Sequence, residues 1–255
     1  MIAVRESFSL FRRAILALCV ALAPYAAASA APAADDMAIA QSLAEMLRDA
    51  RTVISDQQDL INNPQLGDKH LTGEVVIEQA VAKYSTDTGI DPRKLDPASR
   101  QGRLLRAMMA AIVEVVDDNQ ATINEKGTGF KGFIPAVFAR LVAESFVHLA
   151  KGEAEIKVTA PVELVRNRKA RPDPWETEII EKRLLDPTWP AGQPFSAKVE
   201  TKGRSAFRVM VPEYYVESCL ACHGSPKGEM DITGYPKEGG KLNDLGAVIS
   251  ITLYH

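Results

Sequence analysis

Three residues of rare type stand in fixed order near the end of the chain, in the run Cys219-Leu220-Ala221-Cys222-His223. Two thiols separated by two residues can each add across one vinyl group of a haem, and a histidine immediately after the second is then held under the iron. That product requires both the residue types and their spacing. The run therefore predicts one covalently attached haem c, with Cys219 and Cys222 as attachment residues and His223 as proximal iron ligand. Two other chemistries use similar residues. A thioredoxin-like pair wants its first cysteine at a helix start after a strand in a βαβ setting, whereas a stretch rich in Gly, Pro and Lys follows here. Zinc wants a fourth ligand and usually a second pair, and His70, His148 and His255 are scattered singly.

The opposite axial position bears more on function, since a methionine ligand suits electron transfer and an open site suits sensing or gas binding. Met108 and Met109 lie on an apolar helical stripe and are candidates for that distal position; ordinary core methionine is the competing reading. Tyr214 and Tyr215, just before Cys219, are candidates to pack on the porphyrin edge or bond a propionate, or else simply seal a core. Arg166, with Arg168, Lys227 and Lys241, is a candidate to neutralise the propionates, although most surface cations have no such partner.

The N-terminal residues read as a secretion signal. Arg5, Arg12 and Arg13 precede the apolar run Ala14 to Ala23, and Ala28-Ser29-Ala30 fits a cleavage site. The run is shorter than the roughly 20 residues of a membrane span, so residues 1–30 are expected to be cleaved and residues 31–255 to form one domain in the periplasm. Cys19 leaves with the signal, and Cys219 and Cys222 remain as the only cysteines. A disulfide between them would close too small a loop to remove much unfolded-state entropy, which again favours cofactor attachment.

Of 30 basic and 33 acidic residues, loss of Arg5, Arg12, Arg13 and Glu6 leaves 27 against 32, a net charge of -5. Such a balance provides no footing for nucleic acid. No membrane span is expected after cleavage.

The elements that must position the motif follow from periodicity. Ile39, Leu43, Met46, Leu47 and Ile54 recur at helical spacing between Asp36 and Asp56, and further helices are predicted from Gly73 to about Tyr84, from Arg103 to about Glu125, and from Pro135 to Gly152. After Gly152, Ile156, Val158, Val162 and Val165 indicate extended chain. A proline-broken region then holds a short helix, Trp175 to Leu185. Phe207, Val209 and Val211 alternate with polar or small residues, as do Ala247, Ile249, Ile251 and Leu253. Helices first and strands later predict an α+β fold, a helical N-terminal half on a small antiparallel sheet, with the motif in the long loop between the last two strands.

The chain resembles the periplasmic c-type haem domains with a PAS-like fold, found alone or as the sensing part of bacterial chemoreceptors and histidine kinases. The resemblance is carried by Arg166-Asn167, Pro172-Asp173 and Glu176, by Phe207 to Tyr215 leading into the motif, by Gly224 and Pro226-Lys227-Gly228 after it, by Gly239 to Leu253, and by Gly132-Phe133-Ile134-Pro135. It implies a PAS-like sheet and sensing of redox state or a small ligand. Some relatives place a cysteine in the helix matching Arg103 to Glu125 as second iron ligand; this chain has Val115 and Val116 about there, so that ligation does not carry over. Met109, two turns earlier on the same face, is the candidate replacement.

The resulting expectation is a stand-alone haem sensor domain that acts through a partner, such as a membrane sensor, because the chain lacks an output domain. The alternative is a soluble monohaem cytochrome serving a periplasmic redox partner. No enzyme activity is expected, since no distal His with a neighbouring Arg stands out. A homodimer remains open.

Overall fold

Ile39, Leu43, Met46, Leu47 and Ile54 are all buried along one side of helix α1 (Ala30–Asp56), which the other elements surround. The computed structural model describes residues 30–255, with side chains from Asp35 onward; the expected signal segment lies outside the described residues, apart from Ala30. After a short α2 (Gln58–Ile61), Thr72 caps α3 (Gly73–Thr88) by accepting the Val75 N–H at 3.3 Å. Ser99 starts α4 (Arg100–Asp118) in the same way, with its Oγ 3.0 Å from the Gly102 nitrogen.

Helix α4 stops earlier than its periodicity predicts. Asp117, Asp118 and Asn119 are poor helix formers whose side chains compete for backbone groups. Asn119 donates to the Val115 carbonyl at 2.7 Å, and a separate turn α5 (Gln120–Ile123) follows. Helix α6 (Pro135–Leu149) has proline at its first turn, where the missing N–H costs nothing.

Four antiparallel strands follow, β1 (Ala154–Thr159), β2 (Phe195–Thr201), β3 (Arg204–Tyr214) and β4 (Leu245–Tyr254), in the order β1-β4-β3-β2. Strand β2 is not predicted from the sequence, because Pro187, Pro190 and Pro194 just before it read as loop and its own residues bury little. It is an edge strand joined to β3 by Lys202 and Gly203, both at positive φ (52° and 72°), as a tight hairpin requires.

The sheet is covered on both faces, so β3 and β4 are buried along nearly their whole length rather than alternately. Phe207, Val209 and Val211 face the helical core with their partners Leu253, Ile251 and Ile249. Met210 and Val248 face a smaller second core made by α7 (Pro174–Ile179) and the π-helical turn Ile180–Leu184. Asp173 and Glu176 form a capping box on α7. Glu176 also bonds Lys157 of β1 at 2.6 Å and Arg208 of β3 at 3.0 Å, tying this layer to the sheet. The proline-aspartate-glutamate segment thus has a structural use: it fastens the second layer.

No helix of the described residues is long and apolar enough to cross a membrane. The fold is α+β, a helical N-terminal half on a small antiparallel sheet.

Candidate functional site

Strand β3 loses register with β4 between Glu213 and Tyr214. Irregularities of this kind re-aim side chains at a sheet edge, and here the two tyrosines part company. Tyr214 packs with the second core, its hydroxyl accepting the Gly192 N–H at 3.0 Å. Tyr215 turns to His223 of the motif. The chain then forms helix α8 (Glu217–His223), so the motif lies on a short helix rather than in an open loop. An i, i+3 separation on a helix puts Cys219 and Cys222 on one face. Both are free thiols and partly exposed.

The segment after α8 folds back over it. Gly239 and Gly240 donate to the carbonyls of Gly224 and His223 at 3.0 and 2.8 Å, and Tyr215 and residues 243–244 bond one another's backbone at 2.9 Å. The His223 ring lies on the Tyr215 ring, with centroids 5.1 Å apart and planes 17° apart. A Cβ at Gly240 or Gly246 would stand 2.6 or 2.2 Å from the Tyr215 ring, so glycine at both positions makes room for it.

The Nδ1 of His223 is 2.9 Å from Glu238 Oε2. Arg166 grips that carboxylate with two bonds, Nε to Oε1 at 2.7 Å and Nη2 to Oε2 at 3.0 Å. The same guanidinium donates to Asp231 at 2.6 Å and to the Cys222 carbonyl at 3.0 Å. Burial alone would raise the Glu238 carboxyl, but its bonds from Arg166 and His223 prevail and hold it below the usual range. Asp231 is lowered further: burial again opposes, and bonds from the Thr233 hydroxyl, Arg166 and the backbone N–H groups of Tyr235 and Thr233 prevail. Burial, with Asp231 nearby, pushes the Cys222 thiol up, against the pull of Arg166. Tyr215 is raised to about 12, chiefly by burial and then by Glu238, and its hydroxyl is buried without a hydrogen-bond partner.

Helix α1 reaches the site from the other side. Arg48 and Arg51 both bond Glu213 at the end of β3.

The other residues singled out in the sequence fall in different places. Arg166, read as a propionate partner, is engaged on Glu238, Asp231 and the Cys222 carbonyl. Met108 is sealed in the helical core, and Met109 faces a groove between α3 and α4 with Glu78, Arg93 and Arg106. Helix α4 packs on α1, α3 and α6, and neither thioether is brought to α8. His70 and His148 are exposed, and His255 pairs with Asp36 at 3.0 Å. Among the described residues the single cluster of three potential metal-ligating side chains is Glu45, Asp49 and Asp87, apart from the motif. Glu238 and Asp231 escaped the sequence reading, because a lone acid in a polar stretch gives no sign of its partner.

Exposed apolar residues are concentrated in the part of the chain that holds the motif and the segment folding back over it. Of the eleven large exposed apolar residues among those described, Val216, Met230, Ile232, Tyr235 and Leu242 all fall between positions 216 and 242. Free thiols on one helix face, an imidazole with one nitrogen engaged and the other available, and apolar side chains alongside form a donor set that fits a covalently held, largely apolar macrocycle.

Fold and site together define an α+β domain carrying a Cys-x-x-Cys-His helix in the connection before its last strand. The chain belongs to the Tll0287-like family, whose model, described as Tll0287, matches residues 32–253. The comparisons with curated proteins and with solved structures return no match.

Proposed function

We propose that this protein is a periplasmic monohaem c-type sensor domain, which responds to redox state or a small ligand and acts through a partner protein. One observation carries the reading. His223 has its Nδ1 on Glu238 at 2.9 Å and its Nε2 left to bind iron, one residue from the second of two free thiols. Bound there, a haem would supply an iron able to change oxidation state or take a small ligand. The chain's own residues would do the rest: Cys219 and Cys222 would form the thioether links, while Tyr215 fixes the plane of the His223 ring and Arg166 ties the Cys222 backbone to Glu238. Membership of the Tll0287-like family supports the assignment. So does the export signal read in residues 1–30.

Sensing is favoured over electron carriage because Met108 and Met109 of α4 lie away from the motif, which weighs against a carrier ligated by either of them. Absorption spectra of the oxidised and reduced protein, with and without carbon monoxide, separate the two. A sensor gives a ferrous spectrum that shifts on carbon monoxide binding. A low-spin spectrum with a methionine-ligand band and no carbon monoxide response assigns the protein to electron transfer instead.

A further inference from the structure

The nitrogen of His223 that faces away from any iron is held unusually firmly. A carboxylate bonded through both oxygens by a guanidinium is an acceptor only, so the proton in the 2.9 Å contact belongs to His223 Nδ1. Tyr215 fixes the ring plane by stacking, and Glu238 fixes rotation within that plane. Arg166 joins the arrangement to the motif itself, since the Nη2 that bonds Glu238 also bonds the Cys222 carbonyl at 3.0 Å. Asp231, with its side chain fully buried, holds the far side of the guanidinium through Nη1 at 2.6 Å, where Thr233 also lies at 3.4 Å.

We propose that Glu238 is the positioning residue for His223: it accepts the Nδ1–H hydrogen bond, holds the ring in the Nδ1–H tautomer with Nε2 bare, and makes the imidazole a stronger donor. This rests on the reading that Nε2 of His223 meets a haem iron. A more strongly donating proximal ligand favours the oxidised iron, and partners one step removed from a metal commonly change its properties by one to two orders of magnitude. Glu238, clamped by Arg166, thus keeps the one-electron couple of the site low and preserves one ring orientation through changes of oxidation state.

Two measurements on Glu238→Gln test this, the first without any haem. In the apo-protein, at a pH where imidazole is neutral, nitrogen-15 NMR of His223 should report Nδ1–H. In Glu238→Gln the amide oxygen turns to Arg166 and its NH2 to Nδ1, and the ring should convert to Nε2–H. Glu238→Asp, which keeps an acceptor, should retain the Nδ1–H form and guards against a general loss of structure. An Nε2–H ring in the wild type, or no change in Glu238→Gln, overturns the proposal. In the haem-loaded protein, Glu238→Gln should raise the ratio of reduced to oxidised iron at a fixed ambient potential at least about tenfold, equivalent to about 59 mV for one electron. A ratio unchanged within about twofold contradicts the assigned effect on the couple. Should the chain carry no haem, the first measurement still decides the role of Glu238 while the functional reading fails separately.

Discussion

Tyr215 and His223 are stacked, with 5.1 Å between ring centroids and 17° between ring planes, and the Tyr215 ring fills the space that a Cβ at Gly246 would need. Gly246→Ala should therefore destabilise the protein by about 1–3 kcal/mol, the usual cost of overpacking. In a Tyr215→Ala background the same change should cost less, with a coupling of about 1 kcal/mol or more in denaturant unfolding. Additive effects would show that the stack does not need the glycine. Tyr215→Phe removes a hydroxyl buried without a partner and should be neutral or stabilising.

Arg166 is the centre of a largely buried ion cluster behind α8, in which Asp231 is fully enclosed. Arg166→Ala leaves the Asp231 and Glu238 carboxylates without their cation, and loss of one partner of such a pair typically costs about 3–5 kcal/mol. The damage should fall on the 224–244 segment, so limited proteolysis should cut there well before the wild type is cut. Equal resistance in the two proteins would contradict the clamp.

The same cluster predicts an acid dependence. The folded-state carboxyl of Asp231 lies below its ordinary value of 3.8, so its contribution to stability is present above that pH and is lost as pH falls below it. Wild type should lose stability between pH 4 and pH 2 more steeply than Asp231→Asn, as read by urea midpoints at each pH.

Asp49 predicts the opposite slope. Its side chain lies in the helical core with neither oxygen hydrogen-bonded, and Lys83 stands 3.9 Å away. Burial first, then Glu45, raises its carboxyl from 3.8 to about 7, against the pull of Lys83 and Arg48. The folded state thus holds this proton more tightly than the unfolded chain. Its contribution is full below pH 3.8 and is lost as pH rises through about 7. Asp49→Asn should be more stable than wild type at pH 8, by about 1–3 kcal/mol. A variant less stable than wild type at pH 8 would mean that the charged carboxylate has a partner in solution.

The helices of the first half were legible in the sequence because of their apolar periods, but their ends were less so: α4 stops at Asp118 rather than near Glu125. Strands β3 and β4 were legible for the same reason. Strand β2 was hidden because an edge strand buries little, and its Lys198 and Glu200 read as loop. The motif was legible because its three residues are adjacent and rare. The partners of that motif were not: Arg166 lies 57 positions before His223 and Glu238 lies 15 after it, and only the folding-back of the 224–244 segment brings both to the ring. Met108 and Met109 show the converse, since an apolar stripe suits a core and a ligand face alike, and only the packing of α4 on α1, α3 and α6 distinguishes them.

The central claim is that Cys219 and Cys222 carry one haem with His223 on its iron, and the most direct measurement is the intact mass of the exported protein made with the c-type haem maturation machinery, read beside its reduced pyridine haemochrome spectrum. The account predicts a mass increased by one haem, a spectrum of two saturated thioether links, one link in either Cys219→Ser or Cys222→Ser, and none in the double variant. A wild-type chain recovered at its apo mass, without haem absorbance under those conditions, would contradict it.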